Sequence, residues 1–534
     1  MTTRIKHYNK NTGVTYVYES TSYWDKKLKQ PRNKQVCIGK LDENGKFVLS
    51  KRLRKGASEQ PQQEGADKEP AITASAQIVG PAMILNKVEE DLGLSRLLKS
   101  CFPETYQQII TMAQYLVIEG GALTHCSAWC KSHEPHMADS LTSQRISEIL
   151  PSLNTDKKQT FLNKWMKKTA ENDYLCYDIT SVSSYSQINE YIKYGHNRDN
   201  EKLPQLNLSV LFGQHQELPV YYDRYPGSIT DVTTLHNLLK TFKALDIKTL
   251  SYVLDKGFYS KSNVDDLLAR SDKFLIAVPM NNKWLKSAID DIFDTIHGPD
   301  GYQELDDEIL YVDTRLYPWG DKRHRCYLHL YYNAKSRADA VDQFNKDLVV
   351  YRQELESGKR NSKHEPAYEE FFTIKTTPKR GVKVTYNKEA ISKHIGRYTG
   401  FQALLSNSIK DPVKALQVYR DKDVVEKSFD DLKNQLDMKR LRMHSSRTTD
   451  GRLFVQFIAL IYMSALRREM RKSDLIKHYN IRELLKEMEP LTKITYAGRY
   501  GYILTERTKT QKEIMKLLGM AEDGKNLVIK QPGD

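Results

Sequence analysis

The sequence is poor in cysteine and contains no apolar segment long enough to cross a membrane. Six cysteines in 534 residues indicate a reducing compartment and argue against a disulfide scaffold. The longest strongly apolar run, FVQFIALIYMSAL at residues 454–466, is too short to span a bilayer and suits a buried helix. No charged and then apolar leader follows Met1. These absences predict a cytoplasmic protein without a membrane partner.

Positive charge, in contrast, is in excess. Lysine and arginine outnumber the acidic residues by 82 to 68, which gives a net charge of +14 and a pI of about 9.1. Such a balance favours a polyanionic partner, and nucleic acid is the most common one. The length exceeds what one hydrophobic core accommodates, so we expect three or four domains or sub-domains.

The first third of the chain divides by composition into three parts. Residues 1–53 form a small, basic, β-rich domain, with strands expected at residues 16–20, 35–39 and 47–50. Residues 54–80 are polar and rich in breakers, which is typical of a flexible linker. Residues 81–172 are helical, with a first helix expected from Pro81 until Gly93 stops it, and further helices at 105–119, 143–150 and 157–168. We interpret this helical region as DNA-binding, although for the helix that carries Arg145 a plain bundle helix is the favoured alternative.

The pattern changes after residue 172 to alternating strands and helices. Three strands, a helix, a strand, a helix and a strand predict an α/β fold with a ribonuclease-H-like core in residues 173–279. Residues 280–410 interrupt this core as a β-rich insertion. The core resumes at residues 411–470, and a C-terminal helical region occupies residues 471–534.

Residues 419–433, YRDKDVVEKSFDDLK, contain neither proline nor glycine and predict one amphipathic helix. Tyr419, Lys422, Glu426 and Lys433 are spaced to share one face of that helix, so cations flank the glutamate on both sides. An ordinary surface ladder of Glu/Lys pairs is the alternative interpretation.

Two aspartates belong to predicted core strands, and together with Glu426 they form a set of three carboxylates. Asp178 lies in the first core strand, and Asp255 ends the strand before the second core helix. Three hard oxygen ligands suit two Mg²⁺ ions, which can activate an attacking oxygen and stabilise a leaving one in phosphoryl transfer. Taken singly, each aspartate could instead cap a helix or a turn.

These blocks resemble the DDE transposases of bacterial insertion sequences. The similar segments are YDITSVSS around Asp178, VLDKGFYS around Asp255, and the spaced residues Tyr419, Lys422, Glu426 and Lys433. The resemblance is to the superfamily named after the fourth insertion sequence, and especially to its sixteen-thirty-four group. Lys422 stands where that family has arginine, so the charge is kept but the bidentate fork is lost.

The resemblance implies a cut-and-paste reaction on DNA. Asp178, Asp255 and Glu426 would hold two Mg²⁺ ions, for which Mn²⁺ can substitute, during end nicking, hairpin formation and strand transfer. The partners implied are double-stranded DNA, as terminal inverted repeats and as target, and a second copy in a paired-end homodimer. The implied location is the bacterial nucleoid. The residues expected to contact DNA are Tyr419, Lys422, Lys433, His196, Arg198, Arg440, Arg442 and Trp319, the last as a platform for a flipped base. A packed aromatic residue at a strand end is the alternative for Trp319, and bracing of their loop is the alternative for His196 and Arg198.

Two other functions remain open from the sequence. A ribonuclease-H-like nuclease without strand transfer would need the same three carboxylates. A domesticated DNA-binding protein without catalysis would not need them, and all three are present.

Overall fold

The computed structural model divides the chain into two compact units, residues 1–72 and 73–534. The residues it describes are 2–10, 12–25, 30–42, 45–49, 74–137, 141–186, 188–199, 201–247, 249–377, 381–496 and 501–520. Most of the predicted linker, residues 54–73, lies outside these ranges. None of the helices within them is both long and apolar enough to cross a membrane.

The first unit is a four-stranded antiparallel sheet. Its strands, in their order in the sheet, are β1 (Thr2–Asn9), β2 (Val14–Asp25), β3 (Gln30–Leu41) and β4 (Phe47–Leu49). The three predicted strands are present within β2, β3 and β4, whereas β1 was not predicted. Gly45 has a φ of +77° and donates its N–H to the Asp42 carbonyl at 2.9 Å, as a tight turn between β3 and β4 requires.

The second unit is built around a ten-stranded mixed sheet. Its core strands are β6 (Tyr174–Ser184), β7 (Gln205–Gly213), β8 (Leu218–Pro226), β9 (Ser251–Leu254) and β10 (Lys273–Ala277). They lie in the order β8-β7-β6-β9-β10, with the first three antiparallel and the last two parallel to β6. This is the ribonuclease-H-like arrangement that the sequence predicted.

The predicted insertion is not separate from the core sheet. The strands β11 (Tyr302–Leu305), β12 (Glu308–Trp319), β13 (His324–Tyr332) and β16 (Phe401–Ser406) extend the sheet beyond β10. The hairpin of β14 (Phe372–Thr377) and β15 (Gly381–Tyr386) packs instead on helices and shares a second, small hydrophobic core with them. The insertion is therefore part sheet extension and part helical module, because β16 pairs with both β10 and β13.

Six helices precede the core sheet. They are α1 (Gly80–Leu92), α2 (Leu94–Cys101), α3 (Tyr106–Ile118), α4 (Cys126–Ser132), α5 (Ser143–Ser152) and α6 (Thr155–Thr169). The four helices predicted in this region correspond to α1, α3, α5 and α6, and Gly93 follows α1 as the predicted stop.

Six more helices lie between the core strands and within the insertion. They are α7 (Asp231–Ala244), α8 (Lys261–Ala269), α9 (Lys283–Asp290), α10 (Ala334–Glu356), α11 (Glu365–Phe371) and α12 (Lys388–Ile395). The two core crossovers contain α7 and α8, as the strand–helix alternation of the sequence predicted.

The remaining helices follow the insertion. They are α13 (Pro412–Arg420), α14 (Asp423–Asp430), α15 (Ser446–Lys472), α16 (Ile481–Met488) and α17 (Lys509–Leu517). The apolar run predicted to form a buried helix lies in α15, which packs against α3, α5 and β8. At Gly451 an added Cβ would lie 2.0 Å from the Leu150 carbonyl oxygen, so glycine permits the close approach of α15 to α5.

Two predicted boundaries need correction, because a small sheet joins the supposed linker to the C-terminal region. The strand β5 (Ala74–Ile78) pairs antiparallel with β18 (Thr492–Tyr496), which also pairs with β19 (Tyr502–Leu504). Residues 74–78 are therefore structured, and the C-terminal region is not wholly helical. The two-residue strand β17 (Arg440–Leu441) pairs with β6 in the parallel direction.

Candidate active site

The sheet register places Asp178 and Asp255 side by side. The parallel strands β6 and β9 pair Tyr177 with Leu254, so the two aspartates occupy the next positions on neighbouring strands. Asp255 comes directly after β9 ends, and its side chain caps a short 3-10 turn by accepting the Lys256 N–H at 2.9 Å. The sequence prediction that these carboxylates meet on one sheet is confirmed by this register.

The two aspartates differ in electrostatic environment. Burial raises the pKa of Asp178 to about 6, against the opposing effects of the Ile179 N–H at 2.7 Å and the charges of Arg198 and Lys422. Burial also acts to raise the pKa of Asp255, but the Tyr419 hydrogen bond and the Lys422 charge outweigh it and leave that pKa below its ordinary value. Asp255 therefore carries its charge at lower pH than Asp178.

The segment predicted as one helix is broken. Helix α13 ends at Arg420, α14 begins at Asp423, and a π-helical turn at Asp431–Gln435 follows α14. Tyr419 therefore lies on a different helix from Glu426. Its hydroxyl donates to Asp255 Oδ1 at 2.6 Å, and burial together with the Asp255 charge raises the pKa of Tyr419.

Lys422 lies at the break and joins the second aspartate to the glutamate. Its Nζ is 3.7 Å from Asp255 Oδ2 and 3.7 Å from Glu426 Oε1, and it lies over the Tyr419 ring at 5.4 Å from the ring centre. Glu426 itself is 60% exposed. Lys422 and Glu426 keep the i, i+4 arrangement predicted for one helix, because α14 begins at the residue directly after Lys422.

The carboxylates do not form a closed metal site with their side chains in these positions. Within the described ranges, no three His, Cys, Asp or Glu side chains are grouped so that they could hold a metal ion. The oxygen donors are of the kind that Mg²⁺ prefers. However, the Lys422 ammonium lies between Asp255 and Glu426 and contacts both carboxylates. In this structure lysine therefore takes the place of a cation shared by these two residues.

Besides Lys422, three more of the predicted DNA-contacting cations are paired with carboxylates. Lys433 Nζ donates to both oxygens of Asp199 at 2.7 Å, and Arg440 donates to Glu201 Oε1 at 2.8 Å. Arg198 donates to both oxygens of Asp231 at 2.6 Å. Asp231 begins α7 and lies beside the loop that carries Asp255. A Cβ added at Gly257 of that loop would be 3.2 Å from Asp231 Oδ2.

Two other residues predicted to contact DNA, His196 and Arg442, are exposed. His196 is exposed, and its carbonyl oxygen accepts hydrogen bonds from Ser181 and Gln205. Arg442, directly after β17, is also exposed. Both remain predictions as DNA contacts.

Trp319 is packed among aromatic side chains in this structure, as its alternative interpretation expected, and its role as a platform for a flipped base stays a prediction. The side chain is 5% exposed, and its indole N–H donates to Asp265 Oδ1 at 2.7 Å. Tyr259 and Trp284 pack edge-to-face with it, and Tyr317 lies beside it. The tryptophan ends β12 and packs with other aromatic residues because a large apolar ring gains most from burial there.

Some residues that shape the site were missed by sequence reasoning. Asp431, in the π-turn after α14, is 2% exposed and binds Arg467 of α15 through two hydrogen bonds, one of them at 2.7 Å. Asp199 and Glu201 pair with the predicted phosphate-binding cations. Their only sequence signal is proximity to Arg198 in the run NRDNE, which is too common a pattern to distinguish them.

Comparison with known proteins gave a family match over the region that contains these carboxylates. The model of the transposase DDE domain matches residues 170–462, more than half of the chain. A search of curated proteins gave no match.

Several solved structures match in part, and two of them are transposase complexes. One is the piggyBac transposase synaptic complex with hairpin DNA, with 10% identity, a TM-score of 0.34, and coverage of 76% of this chain and 70% of that one. The other is the Mos1 transposase paired-end complex with the left transposon end, with 13% identity, a TM-score of 0.14, and coverage of 42% and 64%. From the family match, this chain belongs to the family of proteins with a transposase DDE domain.

Proposed function

We propose that this protein moves an insertion sequence by cut-and-paste transposition, with Asp178, Asp255 and Glu426 as its catalytic carboxylates. The observation that carries the proposal is the adjacency of Asp178 and Asp255 on parallel strands, with Glu426 joined to Asp255 through Lys422. The family match covers all three positions. End nicking, hairpin formation and strand transfer are the steps proposed, in a bacterial protein of the sixteen-thirty-four group.

Divalent metal is part of the proposal. Asp178, Asp255 and Glu426 would hold two Mg²⁺ ions, with Mn²⁺ as a substitute. When bound, such ions lower the pKa of an attacking water or hydroxyl and stabilise the leaving oxygen. The Lys422 ammonium has to leave the space between Asp255 and Glu426 before both carboxylates can share a cation, because two positive charges repel at this distance.

The remaining site residues have roles in holding and orienting. Tyr419 fixes the Asp255 carboxylate through its hydroxyl and leaves the Oδ2 oxygen facing Lys422. Once released from its carboxylates, Lys422 would bind the phosphate next to the scissile bond. Lys433, Arg198, Arg440, Arg442 and His196 would contact phosphates further along the DNA, because ammonium and guanidinium groups bind phosphate oxygens well.

The proposed partners are double-stranded DNA and a second copy of the chain. We propose that the terminal inverted repeats and the target DNA bind across the site, in a paired-end homodimer. The helical region of residues 81–172 and the small basic sheet of the first unit are proposed as further DNA-binding parts. A nucleoid location would follow from that DNA binding.

The test uses DNA that carries the inverted repeats flanking the gene. Wild-type protein should cut and join these ends in Mg²⁺. The single variants Asp178→Asn, Asp255→Asn and Glu426→Gln should each lose at least about 100-fold in cleavage rate, because metal stabilisation contributes several kcal/mol. Binding of the same DNA should change little.

Asp423→Asn is the matched control for Glu426→Gln. Asp423 lies on the same helix, is 62% exposed and pairs only with Lys427 among its ion-pair partners in the described residues. It should retain nearly full activity. Cutting without joining would favour the plain nuclease, and absence of both reactions in the wild type would exclude transposase activity.

A further inference from the structure

Two acidic side chains from one loop contact two of the cations proposed to bind DNA. The loop follows β6, and it places Asp199 against Lys433 and Glu201 against Arg440. Lys433 contacts both Asp199 oxygens at 2.7 Å, and the Arg440–Glu201 contact is 2.8 Å. The two cations lie close together in the sequence, one in the π-turn after α14 and the other in β17. Each is more than 230 residues away from the acid that it contacts.

The backbone that presents these acids is fixed by a buried asparagine. Asn197 is 9% exposed, and its Oδ1 accepts the N–H groups of Asp199 at 2.9 Å and Glu201 at 3.3 Å. Its Nδ2 donates to Ser183 Oγ at 3.1 Å, near the end of β6. The acids are therefore held by the core sheet and do not depend on a chance surface conformation.

Carboxylates in these positions use the same donors that a phosphate would use. Ammonium and guanidinium groups bind carboxylate and phosphate oxygens through similar charge-assisted hydrogen bonds. Lys433 is 14% exposed while it is paired with Asp199, so a phosphate could reach its ammonium fully only by displacing that carboxylate. Arg440 is 43% exposed, and Glu201 takes one edge of its guanidinium.

We propose that Asp199 and Glu201 compete with DNA phosphates for Lys433 and Arg440, so that the free protein neutralises part of its own DNA-binding surface. The inference rests on the proposed function, because it assigns a regulatory contact to the same surface. DNA bound at the site replaces the two carboxylates, and the acids then turn to solvent. Weak, non-specific DNA is disfavoured because it has to break both contacts first.

The alternative is that the acids only orient the cations. The two cases predict opposite signs when the acids are neutralised. Competition predicts tighter DNA binding in Asp199→Asn/Glu201→Gln. Orientation predicts weaker binding, because Lys433 and Arg440 would lose their fixed positions.

The experiment measures the binding of a fluorescently labelled duplex of mixed sequence to the full chain by anisotropy at fixed salt. The double variant should bind about three- to tenfold more tightly than wild type, since each partly exposed pair contributes a small factor. Neutralising two acids also raises the net charge by two. The control Asp339→Asn/Asp342→Asn makes the same change at two exposed positions of α10 and should bind like wild type within about twofold.

A second arm locates the effect at the contact itself. In a Lys433→Met background, Asp199→Asn should give no gain, because the group for which carboxylate and phosphate compete is gone. Thermal unfolding of every variant checks that the fold is retained. Equal or weaker binding by the double variant, or an equal gain in the α10 control, would overturn the inference.

The outcomes separate this inference from the proposed function. If wild type binds duplex DNA and cleaves its ends but the acid variants show no gain, only the competition is disproved. If neither wild type nor the double variant binds duplex DNA at low salt, both proposals fail.

Discussion

Arg467 should be required to keep the helix of Glu426 in place. Asp431 lies one residue after α14 ends and is almost completely buried, and Arg467 of α15 binds both of its oxygens. The substitution Arg467→Met keeps most of the side-chain volume but leaves the Asp431 carboxylate without its cation. The loss should destabilise the π-turn and, through it, the helix that carries Glu426.

The size of the effect follows from the burial of the two partners. Removing one member of a buried ion pair costs about 3–5 kcal/mol, because an uncompensated charge remains. Arg467 is 23% exposed and Asp431 is 2% exposed, so we expect a cost of about 3 kcal/mol, near the low end. Arg471→Met is the control, since Arg471 lies one turn later on α15, is 41% exposed and pairs with Glu217. It should cost at most about 1 kcal/mol.

The pH dependence gives the prediction a sign. Burial raises the pKa of Asp431, while Arg467 opposes the rise. Without Arg467 the pKa should rise further. A raised folded-state pKa favours the folded protein when the group is protonated, and this advantage is lost as the pH rises through that pKa. The deficit of Arg467→Met should therefore be larger at pH 8 than at pH 5.

Hydrogen exchange is the appropriate assay because it reports opening of one segment in a large chain. Amides of residues 423–435 should exchange faster in Arg467→Met, with a loss of local opening free energy near 3 kcal/mol, while the first unit is unaffected. The reasoning is refuted if the segment is protected equally in Arg467→Met and Arg471→Met, or if the deficit does not change between pH 5 and pH 8.

Two further predictions concern metal affinity and packing. Lys422→Met should bind Mn²⁺ at least about tenfold more tightly in calorimetry, because a cation 3.7 Å from both Asp255 and Glu426 is removed. The control Lys422→Arg keeps the charge and should show no gain. An unchanged affinity in Lys422→Met would contradict the idea that Lys422 competes with the metal ion. Gly451→Ala should destabilise the protein by about 1–3 kcal/mol in thermal unfolding, because the new Cβ would overlap the Leu150 carbonyl. Gly298→Ala, where the new Cβ would lie 3.2 Å from the Thr295 carbonyl oxygen, should destabilise the protein less than Gly451→Ala.

The sheet could be predicted from sequence because its signals are local. Each core strand is a short apolar run bounded by turns, and the alternation with helices leaves few topologies open. The adjacency of Asp178 and Asp255 followed from that topology, since both lie at corresponding positions of strands that pair in parallel. Neither conclusion needed information about side-chain contacts.

The helix break at residues 421–422 could not be predicted in the same way. No proline or glycine marks it. Instead, Arg420 at the end of α13 contacts Asp306, in the turn between β11 and β12, at 3.0 Å, and Glu308, at the start of β12, at 2.6 Å. Tyr419 of the same helix binds Asp255. These contacts join residues more than 100 positions apart, and the tertiary structure overrides the local helix propensity.

The same limitation explains the error at the linker and the two interpretations that the sequence left open at Trp319. The residues of β5 have weak strand propensity and form a strand because β18 supplies the hydrogen-bonding partner. A tryptophan next to Gly320 is compatible with an exposed loop or with packing, and only the positions of Tyr259, Trp284 and Asp265 decide between them. Composition alone contains no such information.

The charge of the site also differs from what the net charge suggests. Around the break in the helix, carboxylates and cations are balanced in number. The carboxylates are those of Asp178, Asp255, Glu426, Asp199, Glu201 and Asp231, and the cations that pair with or act on them are Lys422, Lys433, Arg198, Arg440, Lys256 and Lys439. The overall charge of +14 therefore does not make this region basic at short range. Long-range attraction can still bring DNA to the protein, since it depends on the whole charge distribution. Close contact with phosphates then requires that some carboxylates be neutralised or displaced, which is the effect that bound divalent cations and a turned-away acidic loop would both produce.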